Sequence, residues 1–396
     1  MDTLFKEQVK QFPIELKLLL SLINEEQTID KLSPDLLEKI NWDTFYTLTI
    51  HHRVFPIVYK KIKELDSEFV PEFVCQKLKL SYQKNIFRML FLSGETENVA
   101  KLFDKNNIRS LFLKGTVLAV DLYGDVSLRT SADIDILIPI EKLSLAEKLL
   151  LDHGYIKDDY IETVLNDWKW RHHHITFSHP EKQIKVEIHW RLNPGPAKEP
   201  NFNDLWDRKR VSKLTSYPVY TLGFEDLFLF LVSHGARHGW SRLRWLMDIE
   251  KLVKMELNWN KTKDLLRENQ FLQLGGQALY LASELLCTKV PDEMMENINR
   301  KQTKQLAGDA LFYIKQMVNL HTYPVPKDVS EYHKRHLISL MSKRQKVLFF
   351  ASTLYPYPED AEFFPLPKIL HFLYFPLRPI IVILRKTKNY SEARRA

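Results

Sequence analysis

Residues 131–139 read SADIDILIP, a short aliphatic run closed by Pro139 that nonetheless carries Asp133 and Asp135 one residue apart. Side chains alternate along a strand, so both aspartates fall on one face while Ile134, Ile136 and Ile138 share the other. A chain holding this segment must cover one side of a sheet with apolar residues and tolerate two adjacent negative charges on the opposite side. Neighbouring carboxylates repel, and each is costly to desolvate beside a core. Something positive is therefore expected between them.

A second strand raises the same demand. In KVEIHW, Lys185, Glu187 and His189 alternate with Val186, Ile188 and Trp190. If both strands belong to one sheet, Asp133, Asp135 and Glu187 form an oxygen-rich site suited to Mg²⁺, with Mn²⁺ able to take its place. Two such ions, about 3.5–4 Å apart, can align an attacking oxygen and stabilise a leaving one. His189 shares the face of Glu187 and could orient it.

A phosphate site is expected nearby. LFLKGTVLAVDLYG reads as a strand running into Lys114-Gly115-Thr116 and then a helix that stops at Gly124. Glycine lets backbone approach an anion, and a helix start offers free N–H groups and positive potential. Lys114 and Arg129 could add cations for a triphosphate.

The surrounding pattern divides the chain. Residues 1–98 read as helices, with Ser33 and Pro34 as a helix start and Pro56 as an interruption. From 99 to 220 strands and helices alternate: VAKLFDKNNI ends a helix at an asparagine pair, a helix closes at Gly154, and HHHITFSHPEKQIKVEIHWRL reads as a hairpin turning at HPEK. Residues 221–360 read as helical again, with two helices separated near Gly239, followed by a tail over 361–396. Two distant cysteines, Cys75 and Cys287, exclude a disulfide framework and a cysteine-rich zinc site, and fit a reducing cytoplasm. The N-terminal segment reads as an amphipathic helix and not a signal peptide, and no apolar run is long enough to span a bilayer.

The net charge of +7 suggests nucleic acid until it is located. Residues 366–396 hold seven basic side chains and one acidic, leaving fifty basic against forty-nine acidic elsewhere. The charge belongs to the tail, and a general nucleic-acid face is not supported. That tail, LPKILHFLYFPLRPIIVILRK, is apolar, aromatic and basic, with prolines that prevent one long helix. It suits either peripheral contact with a membrane interface or packing on the helical region.

The order strand–glycine–helix, loop arginine, acid-x-acid strand and later acid-bearing strand resembles the DNA polymerase beta-like nucleotidyltransferase superfamily. LKGTVLAVDLYGDVSLRTSADIDILI together with KVEIHWRL is similar, more closely, to the bacterial group described as uncharacterised nucleotidyltransferases. WDTFYTLTIHHRVFPIVY and HGARHGWSRLRWLMDI are similar to that group's flanking helices, so the likeness runs over roughly residues 40–260. One departure is Lys-Gly-Thr where the superfamily has Gly-Gly or Gly-Ser. The resemblance implies an α/β (α+β) nucleotidyltransferase core with a mixed sheet, flanked by N- and C-terminal helical domains. It implies a magnesium enzyme, EC 2.7.7-like, that moves a nucleoside monophosphate from a triphosphate, ATP first, to an acceptor hydroxyl and releases pyrophosphate. Asp133, Asp135 and Glu187 would hold the metal; Lys114, Gly115, Thr116 and Arg129 would bind nucleotide. The acceptor stays open among saccharide, peptide, tRNA and protein. A non-catalytic nucleotide-binding module and a membrane-surface partner of a biosynthetic pathway are the alternatives.

RHHHITF and HGARH both suggest zinc, and His234 and His238 have the i, i+4 spacing of a helical zinc pair, but no glutamate follows His234 and two glycines weaken the helix. These residues are better read, with Arg237 and Arg244, as a cover over the open sheet face that contacts nucleotide or substrate. Asp248 is then expected to pair with one of those arginines.

Overall fold

The computed structural model describes residues 2–24, 37–64, 70–158, 161, 163–195, 197–322 and 324–393. The helix start at Ser33–Pro34 lies outside them. Seven strands make one mixed sheet: β1 (Leu111–Phe112), β2 (Asp133–Leu137), β3 (Ile156–Lys157), β4 (His174–His179), β5 (Ile184–His189), β6 (Arg210–Ser212) and β7 (Val219–Thr221), in the order β3-β4-β5-β2-β1-β7-β6. The hairpin expected around HPEK is β4–β5, antiparallel. The central pair, β2 and β5, is parallel, and β1 runs antiparallel to β2 and parallel to β7.

One sheet face is a dry core. Ile134, Ile136, Ile138, Val186 and Ile188 pack with Met89, Leu92, Val99 and Phe103 of the helix Glu72–Lys105 and with Ala146 and Leu150 of the helix Leu143–Asp152. Burying side chains of this size contributes roughly 1.5–3 kcal/mol each. The alternation read from DIDIL and KVEIH is the cause of that layer. Helix ends fall where the punctuation put them: Gly124 and Gly154 have positive φ, and the long helix stops at Asn106, with Asn107 left-handed.

The break expected near residue 98 falls inside the 34-residue helix Glu72–Lys105, so helical and sheet segments are joined by continuous backbone. The helices before and after the sheet also share one apolar cluster. Phe5, Leu16 and Phe45 are buried with Phe228, Leu279 and Leu311, and the rings of Phe5 and Tyr280 stand 5.1 Å apart. Periodicity reports which face of a helix is apolar, not which distant helix covers it. The helices Phe224–Arg237 and Leu243–Val253 are separated at Gly239, as expected. Gly235 is required for another reason: a Cβ there would stand 2.3 Å from the Trp240 ring.

Candidate active site

The acid-bearing face of the sheet is built by strand register. β2 and β5 pair Asp135 with Glu187 and Leu137 with His189, which brings the two carboxylates side by side. Asp135 is fully buried, whereas Glu187 keeps 22% of its side-chain surface at the mouth. Asp133 lies one same-face step, roughly 7 Å, further along β2. Its Oδ1 accepts a hydrogen bond of 3.1 Å from Ser131 Oγ, and it stays outside the compact group formed by Asp135, Glu187 and His189.

The positive partner is Lys114. Leu113 N–H donates to Asp135 O at 2.9 Å, which fixes the end of β1 against β2 and sets the next side chain beside the acids. Lys114 Nζ lies 2.9 Å from Asp135 Oδ1, and His189 Nε2 lies 3.2 Å from the same oxygen and 3.5 Å from Glu187 Oε2. Burial alone would lower Lys114, but Asp135, Asp133 and Glu187 outweigh it and its pKa is raised. Likewise burial opposes the charged form of His189, yet its bonds to Asp135 and Glu187 raise its pKa. Glu187 is held down at about 2: burial works against this, and the His189 bond with the nearby His189, Lys114 and His174 charges prevails. Asp135 Oδ2, also buried, has no hydrogen-bond partner among the described residues, and neither has His189 Nδ1.

Gly115 turns the chain from β1 into the helix Thr116–Tyr123 with φ +76°. An added Cβ would be strained and would press on Asp133 O at 3.3 Å, so glycine is needed here. The Thr116 hydroxyl, expected to serve phosphate, is engaged in the interior. Thr96 Oγ1 donates to Leu92 O, so Thr116 Oγ1 is left to donate to Thr96 across 3.1 Å.

Arg129 likewise sits away from solvent. Its Nε and Nη2 each donate to Asp248 at 2.9 Å, and Nη1 donates to Gly115 O at 3.2 Å. Tyr123 OH completes the carboxylate at 2.8 Å. Asp248 thus pairs with Arg129 of the sheet loop, not with Arg237 or Arg244 as the sequence suggested. Arg244 donates to the Thr130 hydroxyl at 2.8 Å and to Thr130 O. Its own pKa is pushed well down by burial and by the neighbouring Arg129 and Arg53 charges.

Across from the acids stand His234, Arg237 and His238. Burial and the Lys114 charge keep His234 neutral, and burial with the Arg237 charge does the same for His238. Arg237 is lowered to about 10 by burial, partly offset by Glu199 and Glu187, and its Nη1 is buried without a partner among the described residues. Two side-chain groups could hold a metal among the described residues: Asp135–Glu187–His189, and His173–His174–His189. His234 and His238 belong to neither, and their spacing gathers no third ligand. His173 and His174 were missed as neighbours of the acids; the HHH run at the start of β4 was their only signal.

A mixed sheet carrying paired acids beside a strand–glycine–helix turn fits a nucleotidyltransferase. The family described as uncharacterised nucleotidyltransferase matches residues 38–287, well over half of the chain, and the chain belongs to that family. Neither a curated protein nor a solved structure matches it.

Proposed function

We propose that the chain transfers a nucleoside monophosphate from a nucleoside triphosphate, ATP first, to a hydroxyl acceptor. One bond forms from the acceptor oxygen to the α-phosphorus, the bond to the β-phosphate bridge breaks, pyrophosphate leaves and the hydroxyl proton passes to water. Asp133, Asp135 and Glu187 would hold Mg²⁺ or Mn²⁺, with His189 fixing Asp135 and Glu187 from behind. The all-oxygen donor set suits a hard divalent cation. When bound, such a metal supplies neutralisation of triphosphate charge and a lower pKa for the acceptor hydroxyl.

The observation that carries this reading is two buried atoms of opposite sign that have no hydrogen-bond partner among the described residues: Asp135 Oδ2, an acceptor, and Arg237 Nη1, a donor. One fits a cation, the other a phosphate oxygen. Lys114, released from Asp135 when a metal binds, is free to meet phosphate, and the Gly115 turn lets backbone approach the same anion. Arg129 acts through Gly115 O, as a positioning residue. We place the acceptor among saccharides, peptides, tRNA and proteins, and the enzyme in the cytoplasm or peripheral at a membrane.

One observation favours a second reading. Lys114 and His189 already neutralise Asp135, as they would in a nucleotide-binding module without turnover. The test is incubation with each α-labelled nucleoside triphosphate, Mg²⁺ or Mn²⁺ and a cell extract, following label transfer and pyrophosphate release. Transfer by the wild type that vanishes in Asp135→Asn supports the enzyme; metal-dependent nucleotide binding without product supports the module.

A further inference from the structure

The helix Tyr374–Ala393 is built inside out. Tyr374, Arg378 and Ile381, at i, i+4 and i+7, form its buried face, and Arg385 continues it. The centre of that face is polar: Arg378 Nε donates to Asp360 Oδ2 at 2.9 Å, Arg385 Nη1 lies 3.3 Å from Asp360 Oδ1, and Asp360 is fully buried. The opposite face is aliphatic and open. Phe375, Ile380, Ile383 and Leu384 are 40–62% exposed, and Ile369 and Phe372 just ahead of the helix are 85% and 59% exposed. A helix of a water-soluble surface has the reverse arrangement.

We propose that this stripe docks in the plane of an anionic phospholipid membrane. The helix is too charged to cross, and no described helix is long and apolar enough to span a bilayer. From Phe372 to Leu384 the stripe extends about 20 Å, the length of an in-plane contact. Charge complementarity selects the occupant. The sequence from 366 to 396 carries seven basic residues against Glu392, and Lys386, Lys388, Arg394 and Arg395 follow the stripe directly. An anionic headgroup layer attracts such a segment. A second copy of the chain would bring two such basic tails together, which opposes self-pairing. The segment is also tied to the stretch ahead of β4: Tyr355 OH donates to Leu165 O at 2.9 Å, and the Arg171 guanidinium sits 4.0 Å from the Tyr357 ring centre. His173 and His174, beside the acids, follow Arg171 by two and three residues.

Flotation of the full chain with vesicles of phosphatidylcholine containing about 30% phosphatidylglycerol tests this without any reaction. The wild type should float, pure phosphatidylcholine should retain little, and Ile380→Glu/Ile383→Glu should partition more than about tenfold less. Ile380→Ser/Ile383→Ser, with a thermal melt alongside, guards against loss of fold and should fall in the same direction. Failure of the wild type to float, or equal flotation of a folded double variant, overturns the proposal. So does a wild type that dimerises in ultracentrifugation through this face and ignores vesicles. None of these outcomes bears on nucleotidyl transfer, which is assayed separately.

Discussion

Two buried ion pairs sit within one neighbourhood and differ in a single respect. Arg129–Asp248 is saturated: both carboxylate oxygens accept from the guanidinium, Tyr123 adds a third bond, and the remaining guanidinium contact goes to Gly115 O. Lys114–Asp135 is not: ammonium and imidazole crowd onto Oδ1 while Oδ2 is left bare. A buried acceptor without a donor costs about 1–3 kcal/mol, so a fold that keeps one gains something elsewhere. The contrast separates a pair that ties the downstream helices to the Gly115 turn from a pair that keeps one carboxylate oxygen unmatched among the described residues.

The sharpest way to break this contrast is Asp135→Asn. Transfer should fall by more than about ten-thousandfold, above 5 kcal/mol in barrier, while the metal-free melting temperature falls only modestly, because Lys114 and His189 lose one partner but keep the Glu187 charge. A variant that unfolds without metal would make Asp135 structural. Asp248→Ala should do the opposite, costing about 3–5 kcal/mol in denaturant unfolding because Arg129 is left buried and unpaired. A loss under 1 kcal/mol would show that the saturated pair is not a fastener.

Acid should expose the unsaturated cluster next. Glu187 is lowered to about 2, so its contribution is present above the ordinary glutamate range and is lost as pH falls from about 4.5 to about 2. Allowing for water at its partly open side chain, that is on the order of 1–2 kcal/mol. Metal-free melts should fall less steeply over that window in Glu187→Gln than in the wild type. The smallest effect expected is for Lys114→Met. Removing the resident ammonium should tighten Mn²⁺ binding without nucleotide by about tenfold, read by electron paramagnetic resonance of free Mn²⁺. Unchanged affinity would mean that Lys114 does not compete for the site.

Much of this arrangement was legible in the sequence because its causes are local. Alternation in DIDIL and KVEIH put the acids on one face and the aliphatics on the other, and Gly124, Gly154 and the asparagine pair marked helix ends. β3, β6 and β7 span two or three residues each and carry no alternation to read. The partner of Asp248 was illegible for a different reason: the loop that presents Arg129 is shaped by the Gly115 turn, and pattern does not encode which of several arginines a turn will aim. The need for a positive partner followed from electrostatics, while the placement of Lys114 on Asp135 depended on where β1 ends. The tail divided the same way. One face of its helix packs on Asp360 and the other is left open, because the residues of the two faces alternate along it.

The Arg129–Asp248 bond also sets a timetable. Its partners are separated by 119 residues, and β2 must wait for β5, some fifty residues later, before Asp135 has its neighbour. At a synthesis rate of about 5–20 residues per second, the acids leave the ribosome seconds before either partner exists. Until Asp248 emerges, the Arg129 guanidinium that reaches Gly115 O lacks the carboxylate that fixes it. That carboxylate arrives with the helix Leu243–Val253.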